Sequence, residues 1–511
     1  MTNRSTKGIW KVISASSMGT MIEWYDFYIF GSLAVVISTK FFPSDNPTAA
    51  FLSTLATFAA GFVVRPFGAL FFGRLGDLIG RKYTFMVTLL LMGGATFLIG
   101  CIPSYETIGF MAPLLVLVLR LLQGLALGGE YGGAATYVAE HAPVGQRGYW
   151  TSWIQTTATV GLFISLMVIL ATKNVLSPEE FDAWGWRVPF WVSIIMVGVS
   201  YLIRKNMSES PVFAKAKSEG KTSTNPLKES FGHRYNLKFV LLALFGATMG
   251  QGVVWYTGQF YAMSFMKTVM SIDSSQVDTL LGIALILGTP FFIVFGWLSD
   301  KVGRKYIMMG GMLLAILLYR PIYKSMYQTT DVKGKTELTD KTKLLAELKE
   351  NKKHTMDSIY TTNKEYSDGT TFLEVKTVSL ENGKAMIVDG KPKVETKTTV
   401  TINSHDRWML IFLIFIQVIF VTMVYGPIAA FLVEMFPAKI RYTSMSLPYH
   451  VGNGIFGGLL PAISTYFVTH AKDAGDPEFY LEGLWYPIVI ASVCFVVGMI
   501  YIQNKNKNTH V

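Results

Sequence analysis

The sequence predicts an all-α polytopic membrane protein: twelve transmembrane helices in two pseudo-symmetric six-helix halves, with a small α+β insertion outside the cytoplasm. Three observations carry that expectation. The 511-residue chain is 51% hydrophobic and only 15% charged, against roughly 25% charged in soluble domains. Apolar runs of about 20 residues, enough to cross a hydrocarbon core as a helix, recur along it. A charged hairpin between such runs occurs twice, as Gly73-Arg74-Leu75-Gly76-Asp77-Leu78-Ile79-Gly80-Arg81-Lys82 and Gly296-Trp297-Leu298-Ser299-Asp300-Lys301-Val302-Gly303-Arg304-Lys305. That repeat is the mark of a duplicated membrane architecture.

The spans fall at about 15–37, 51–73, 83–102, 113–140, 150–171, 186–204, 238–266, 279–299, 306–322, 408–434, 442–468 and 484–503. Backbone polar groups have no water in lipid, so these runs are expected to be helices. The period-two alternation of a membrane barrel is absent. Lysine and arginine settle the orientation. With a cytoplasmic N-terminus, the short outer loops hold only Lys40, Lys173, Lys267 and Lys472, and most of the other basic residues outside the insertion lie on the inner side. This positive-inside bias puts both termini in the cytoplasm. It also explains the net charge of +11 without a nucleic-acid partner. Cys101 and Cys494 lie at or inside spans, so no disulfide framework is expected. The first apolar run contains Glu23 and Asp26 and reads as an insertion-directing span, not a cleavable signal.

A second echo locates an insertion. Glu140, Pro143 and Arg147 match Glu434, Pro437 and Arg441 at an offset of 294 residues, whereas the hairpin repeats at 223. About 71 extra residues therefore lie between Lys305 and Glu434. Residues 321–407 carry 28 charged side chains, against 51 in the remaining 424 residues, which marks them as a soluble module. The resulting organisation is an N-terminal half (1–204), a cytoplasmic connector (205–237), the first part of the second half (238–320), the module (321–407), and the rest of the second half with a short tail (408–511). Within the module, 335–353 predicts an exposed helix, with Leu338, Leu344, Leu345 and Leu348 as apolar positions. Residues 371–380, 384–388 and 394–402 read as strands, separated by turns at Glu381-Asn382-Gly383 and Asp389-Gly390. About 80 residues can fold alone with a thin core. The module is either a solvated decoration or a docking or gating surface for an extracytoplasmic partner.

Charges inside the spans are the candidate chemistry. A carboxylate at the centre of a membrane helix costs about 2.5–3.5 kcal/mol on insertion scales, so it is retained for a reason. Glu23 and Asp26 share one helical face. The second span holds Arg65, and the fourth holds Arg120, Gln123, Glu130 and Tyr131. Such groups bind polar solutes and carry protons, because desolvation brings carboxylate titration toward neutrality. The competing reading is an ion pair that only fixes packing, for example Arg120 with Glu23 or Asp26. Gly124, Gly128 and Gly132 form a smooth face for close helix contact. The second half offers gentler groups, Gln251, Trp255, Tyr256 and Gln259 in the seventh span and Tyr449, His450 and Asn453 in the eleventh. His450 reads equally as a proton-linked group or a hydrogen-bonded core histidine.

The paired hairpins resemble the cytoplasmic signature of the major facilitator superfamily. Glu23-Trp24-Tyr25-Asp26-Phe27, Arg65-Pro66 with Gly68, Arg120 through Gly124 with Gly128 to Gly133, Glu209-Ser210-Pro211, and Phe436-Pro437 with Arg441-Tyr442-Thr443 resemble the metabolite:proton symporters within it. That family includes permeases for α-ketoglutarate, citrate, shikimate and proline or betaine. The resemblance covers roughly 15–320 and 408–503; the module is a departure from the family pattern. It implies twelve helices, a central cavity and alternating access in a bacterial inner membrane.

By motif position, the resemblance carries over Glu23, Asp26, Arg65, Arg120 and Glu130 as cavity residues. With the in-span chemistry, the proton-coupling candidates are Glu23, Asp26 and Glu130, and the substrate-binding candidates are Tyr25, Arg65, Arg120, Gln123, Tyr131, Gln251, Trp255, Tyr256, Gln259, His450 and Asn453. Gly73, Asp77, Gly80, Arg81, Asp300 and Arg304, with Glu140, Arg147, Glu434 and Arg441, become the cytoplasmic gate. The expected function is proton-coupled import of a small organic carboxylate or zwitterion. A proton-independent facilitator and a solute-sensing transceptor are the alternatives. No enzyme motif, metal cluster or cofactor signature is present, and a monomer is expected.

Overall fold

The computed structural model describes residues 6–42, 47–350, 356–381, 384–388, 391–392 and 394–503. Among these, ten helices are long and apolar enough to cross a membrane. Gly8–Ser32 and Ala34–Phe41 are long and apolar enough only together, and count as an eleventh if this pair, bent by 67°, is taken as one span. The 32-residue helix Pro47–Leu78 lies in the same bundle. The chain is therefore a mostly helical, multi-pass membrane protein.

The side-chain pattern is inverted relative to a soluble protein. Phe67, Phe71, Leu202 and Leu317 are exposed on the outer faces, while Thr88, Thr96, Gln123, Glu130 and Arg204 are buried. Apolar lipid exerts no hydrophobic drive between helices, so close packing and polar contacts hold them together. The clearest case joins Pro47–Leu78 to Met111–His141. A Cβ added at Gly124 would lie 2.1 Å from the Gly61 carbonyl oxygen, and one at Gly128 only 2.2 Å from that of Arg65. Gly132 instead faces Ser446 and Tyr442 of the second half.

Four elements differ from the sequence expectation. The seventh span begins at Arg234, and π-helical turns at Leu244–Thr248 and Thr257–Tyr261 interrupt it. A third, Val451–Gly457, interrupts the eleventh. Hydrophobic periodicity does not register one inserted residue in a helix. The connector holds a short helix, Pro211–Ser218, whose Ser210 hydroxyl accepts the Phe213 amide at 3.2 Å. The helix after the second hairpin runs Arg304–Thr329, straight through Pro321, so the module begins later than its charge content suggests.

The module contains sheet where a helix was expected. Strand β1 is Lys343–Glu350, and it pairs antiparallel with β2, Met356–Glu365. β2 pairs with β3, Thr371–Glu381. β3 then pairs with β4, Lys384–Ala385, and with β7, Val394–Thr401, while β5, Ile387–Val388, pairs with β6, Lys391–Pro392. The helical periodicity read over 335–353 fails because β2 supplies backbone partners that local propensity cannot anticipate. Leu344, Leu345 and Leu348 accordingly remain exposed on the edge strand. Turn residues Asn382, Gly383, Asp389 and Gly390 lie outside the described residues. The sheet stands at the end of the bundle opposite the two hairpins. Val400 of β7 bonds Ser271 and Asp273 through backbone contacts of 2.7 and 2.9 Å, and Gln276 brackets Ile402.

Candidate functional site

The two hairpins are built alike. Gly80 and Gly303 have φ of +127° and +110°, a left-handed conformation open to glycine. Each sits directly before a helix that starts with its arginine. The leading glycines, Gly73 and Gly296, allow close approach of the other half: an added Cβ would meet the Thr443 backbone at 2.9 Å and Ser152 at 2.4 Å.

Each aspartate then binds the first turn of a helix from the opposite half. The Thr443 amide and hydroxyl donate to Asp77 Oδ2 at 2.9 and 2.8 Å. The Gly148 and Tyr149 amides donate to Asp300 at 2.9 and 2.8 Å. A carboxylate at a helix N-terminus is favoured by the unpaired amides and the dipole. Arg81 braces Asp77 at 3.1 Å and donates to the Ala438 carbonyl at 2.8 Å. Arg304 braces Asp300 at 2.6 Å and Glu434 at 2.9 Å. Glu140 completes the first latch, with Arg441 at 2.9 Å and a hydrogen bond from Ser210. Glu209 accepts the Arg81 amide at 3.1 Å. Arg147 opens the helix that meets Asp300, and its Nε is buried without a partner. The hairpin end of the bundle is thus closed by contacts between the halves.

The intramembrane charges divide into three groups. Asp26 accepts from Arg120 at 2.9 Å, Gln123 at 2.8 Å and Thr96 at 3.1 Å, and Gln123 also accepts from Arg120 at 2.8 Å. Glu130 is held by Arg204 at 2.5 Å and Thr88 at 2.8 Å. Arg204 further donates to the Ala15 and Phe85 carbonyls and covers the Phe85 ring. In both networks the carboxylate accepts from two or more donors, and both belong to the N-terminal part of the chain. Glu23 is different. Among the described residues its ion-pair partner is Arg65, at 3.3 Å, and Arg65 Nε is buried without a partner.

Around Glu23 and Arg65 lies an aromatic lining drawn from both halves. Trp24 and Trp255 have ring centroids 4.8 Å apart, and Phe27 and Phe260 are 4.9 Å apart. Tyr131 stacks on Tyr449 at 3.7 Å, Tyr449 shares a 2.8 Å hydrogen bond with Tyr425, and Gln155 donates to Tyr131 at 2.8 Å. Glu23 is within electrostatic range of Tyr131, Tyr256, Tyr425 and Tyr449, and Arg65 within range of Tyr256 and His450. Trp255 Nε1 and His450 Nε2 are, like Arg65 Nε, buried without partners. Such orphaned groups cost free energy unless something binds them. Gln251 and Asn453 form a reciprocal amide pair at 3.1 and 3.0 Å, and Gln259 is buried in the π-turn Thr257–Tyr261.

Some candidates lie elsewhere. Tyr25 donates to the Pro189 carbonyl at 2.6 Å and packs in an apolar cluster away from the centre. Gln123 and Arg120 bond Asp26 and Glu130 bonds Arg204, while Glu130 lies within electrostatic range of Glu23 and Arg120 within range of Arg65. Sequence reasoning missed Arg204 as an internal partner, since an arginine beside Lys205 at a span's end looks like an interfacial anchor. It also missed Gly148 and Tyr149, which act through backbone amides that any residue supplies.

Two family models match: "Sugar (and other) transporter" over residues 11–224 and "MFS/sugar transport protein" over 134–325. An inner membrane metabolite transport protein of Escherichia coli, YhjE, is 38% identical over 58% of this chain and 68% of its own. The proline/betaine transporter of Salmonella typhimurium is 26% identical over 97% of this chain and 84% of its own, and the α-ketoglutarate permease of Escherichia coli 26% over 98% and 94%. The proton:xylose symporter XylE superposes with a TM-score of 0.68 at 14% identity, covering 97% of this chain and 96% of its own. The paired latches, the apolar spans and these relatives agree, and the chain belongs to the major facilitator superfamily, alongside the carriers of its metabolite:proton symporter family.

Proposed function

We propose that this protein imports a small organic carboxylate or zwitterion together with protons, by alternating access of two six-helix halves. In this reading Pro47–Leu78 completes twelve spans, and both termini face the cytoplasm of a bacterial inner membrane. The observation that carries it is the Glu23–Arg65 group: one long ion pair, an unpartnered Arg65 Nε, and a lining from both halves. A substrate carboxylate that engages Arg65 would release Glu23 to take a proton, linking the two ligands. Opening of the latches would then expose the group to the cytoplasm. Asp26, tied to three donors, serves as a positioning residue.

Relatives support the substrate range: citrate–proton symporters of Klebsiella pneumoniae and Salmonella typhi are among them. The test is uptake by proteoliposomes under an imposed pH gradient, with citrate, α-ketoglutarate, proline and betaine offered in turn. Accumulation that collapses with the gradient, and that Glu23→Gln removes while substrate exchange persists, is expected. Proton-driven accumulation by Glu23→Gln refutes the assignment of the carrier.

A further inference from the structure

On the outer face of the bundle, near the end that carries the hairpins, a groove of about 500 Å³ separates the seventh span from the last helix, Trp485–Tyr501. Its origin lies in two glycines. Gly246 and Gly498 let these helices touch, since a Cβ on Gly498 would sit 2.6 Å from the Gly246 carbonyl oxygen. Beyond that crossing, toward the hairpin end, the helices part.

One wall is a single helical stripe, Arg234, Lys238, Leu241 and Phe245, at spacings of four, three and four residues. The other carries Val497 and Tyr501. All four stripe residues are exposed, and they grade from cationic at the helix start to apolar toward the bilayer interior. No ion pair or hydrogen bond engages the Arg234 or Lys238 side chain among the described residues. Among the described residues, no carboxylate lines the groove. A free amino acid or organic acid would leave the apolar length empty, and a neutral chain alone would leave the two cations unmatched.

We propose that the groove is a binding site for one anionic phospholipid, its phosphate held by Arg234 and Lys238 and an acyl chain laid along Leu241, Phe245 and Val497. Basic pockets between membrane helices recognise anionic headgroups through charge, while a buried chain adds apolar contact. The site is distinct from the transport path, which lies between the halves. It does not rest on the transport reading or on the orientation of the termini.

The test is native mass spectrometry of the purified full-length protein, delipidated and titrated with phosphatidylglycerol or with phosphatidylcholine of the same chains. The expected result is one retained phosphatidylglycerol, bound much more tightly than phosphatidylcholine. In the double variant Arg234→Gln, Lys238→Gln that affinity should fall about thirtyfold, which corresponds to about 2 kcal/mol. Leu241→Trp, which fills the groove and keeps both charges, should also remove the adduct. Inorganic phosphate at millimolar concentration should not displace it. Equal retention of both lipids, or full retention by the double variant, overturns the proposal. Displacement by inorganic phosphate overturns the part that assigns the acyl chain. Circular dichroism of each variant separates loss of the lipid from loss of the fold.

Discussion

The two halves of the bundle share a hairpin but not an interior. The first half is pinned by buried ion pairs, Asp26 with Arg120 and Glu130 with Arg204. The second half contains a neutral amide pair, Gln251 with Asn453, and aromatic rings in tilted and edge-to-face contact. Each hairpin keeps a carboxylate that grips a helix distant in sequence, while the buried charges around it differ. A charge buried in lipid persists only with a partner, so the first half holds its geometry tightly. Amide and aromatic contacts lack that penalty on separation and yield more readily. We expect the first half to act as the fixed wall and the second as the adaptable one.

The largest expected effect tests the fixed wall. Arg204→Ala leaves Glu130 buried without its cation and should cost about 3–5 kcal/mol, read as lost thermal stability of the purified protein. Gln251→Ala, on the adaptable wall, should cost only about 1 kcal/mol. Equal losses would erase the contrast.

Next come the latches. Asp77→Asn gives up the Arg81 ion pair and weakens the bonds from Thr443, at a site where Asp77 and Arg81 are almost fully buried. Asp300→Asn acts at a more accessible latch, since Arg304 keeps Glu434 and is 12% exposed. Both should favour opening at the hairpin end. Cysteine-accessibility labelling of the inward face should rise several-fold more for Asp77→Asn. The reverse order would make the second latch dominant.

The smallest effect concerns the module, which belongs to neither wall. Burial pushes the Asp368 carboxyl up, but the Lys335 ammonium and the Thr370 amide outweigh it and bring it from 3.8 to about 2. A group depressed on folding stabilises above its unfolded value, and that contribution is lost as pH falls from about 4 through about 2. Asp368 is about a third exposed, so screening keeps the effect under about 1 kcal/mol. The rate at which pepsin nicks the wild-type module relative to Asp368→Asn, a ratio that cancels the protease's own pH dependence, should rise toward one between pH 4 and pH 2.

By itself the sequence determined that the chain is a mostly helical, multi-pass membrane protein, because lipid imposes length, apolarity and internal hydrogen bonding on every span. It also singled out the two hairpins, because Gly, Leu, Asp, Gly, Arg and Lys recur in register and resemble a known cytoplasmic signature. The unrepeated charges of the first half stood out for the same reason: in lipid each is too costly to be incidental. Only the tertiary structure decided which of those charges are spoken for. Asp26 and Glu130 look like Glu23 in sequence, yet Thr96, Gln123 and Arg204 arrive from other helices to bond them. The module turned from helix to sheet by the same cause, because strand pairing between β1 and β2 depends on partners distant in sequence. What a residue costs alone is written in the chain; who satisfies it is settled by packing.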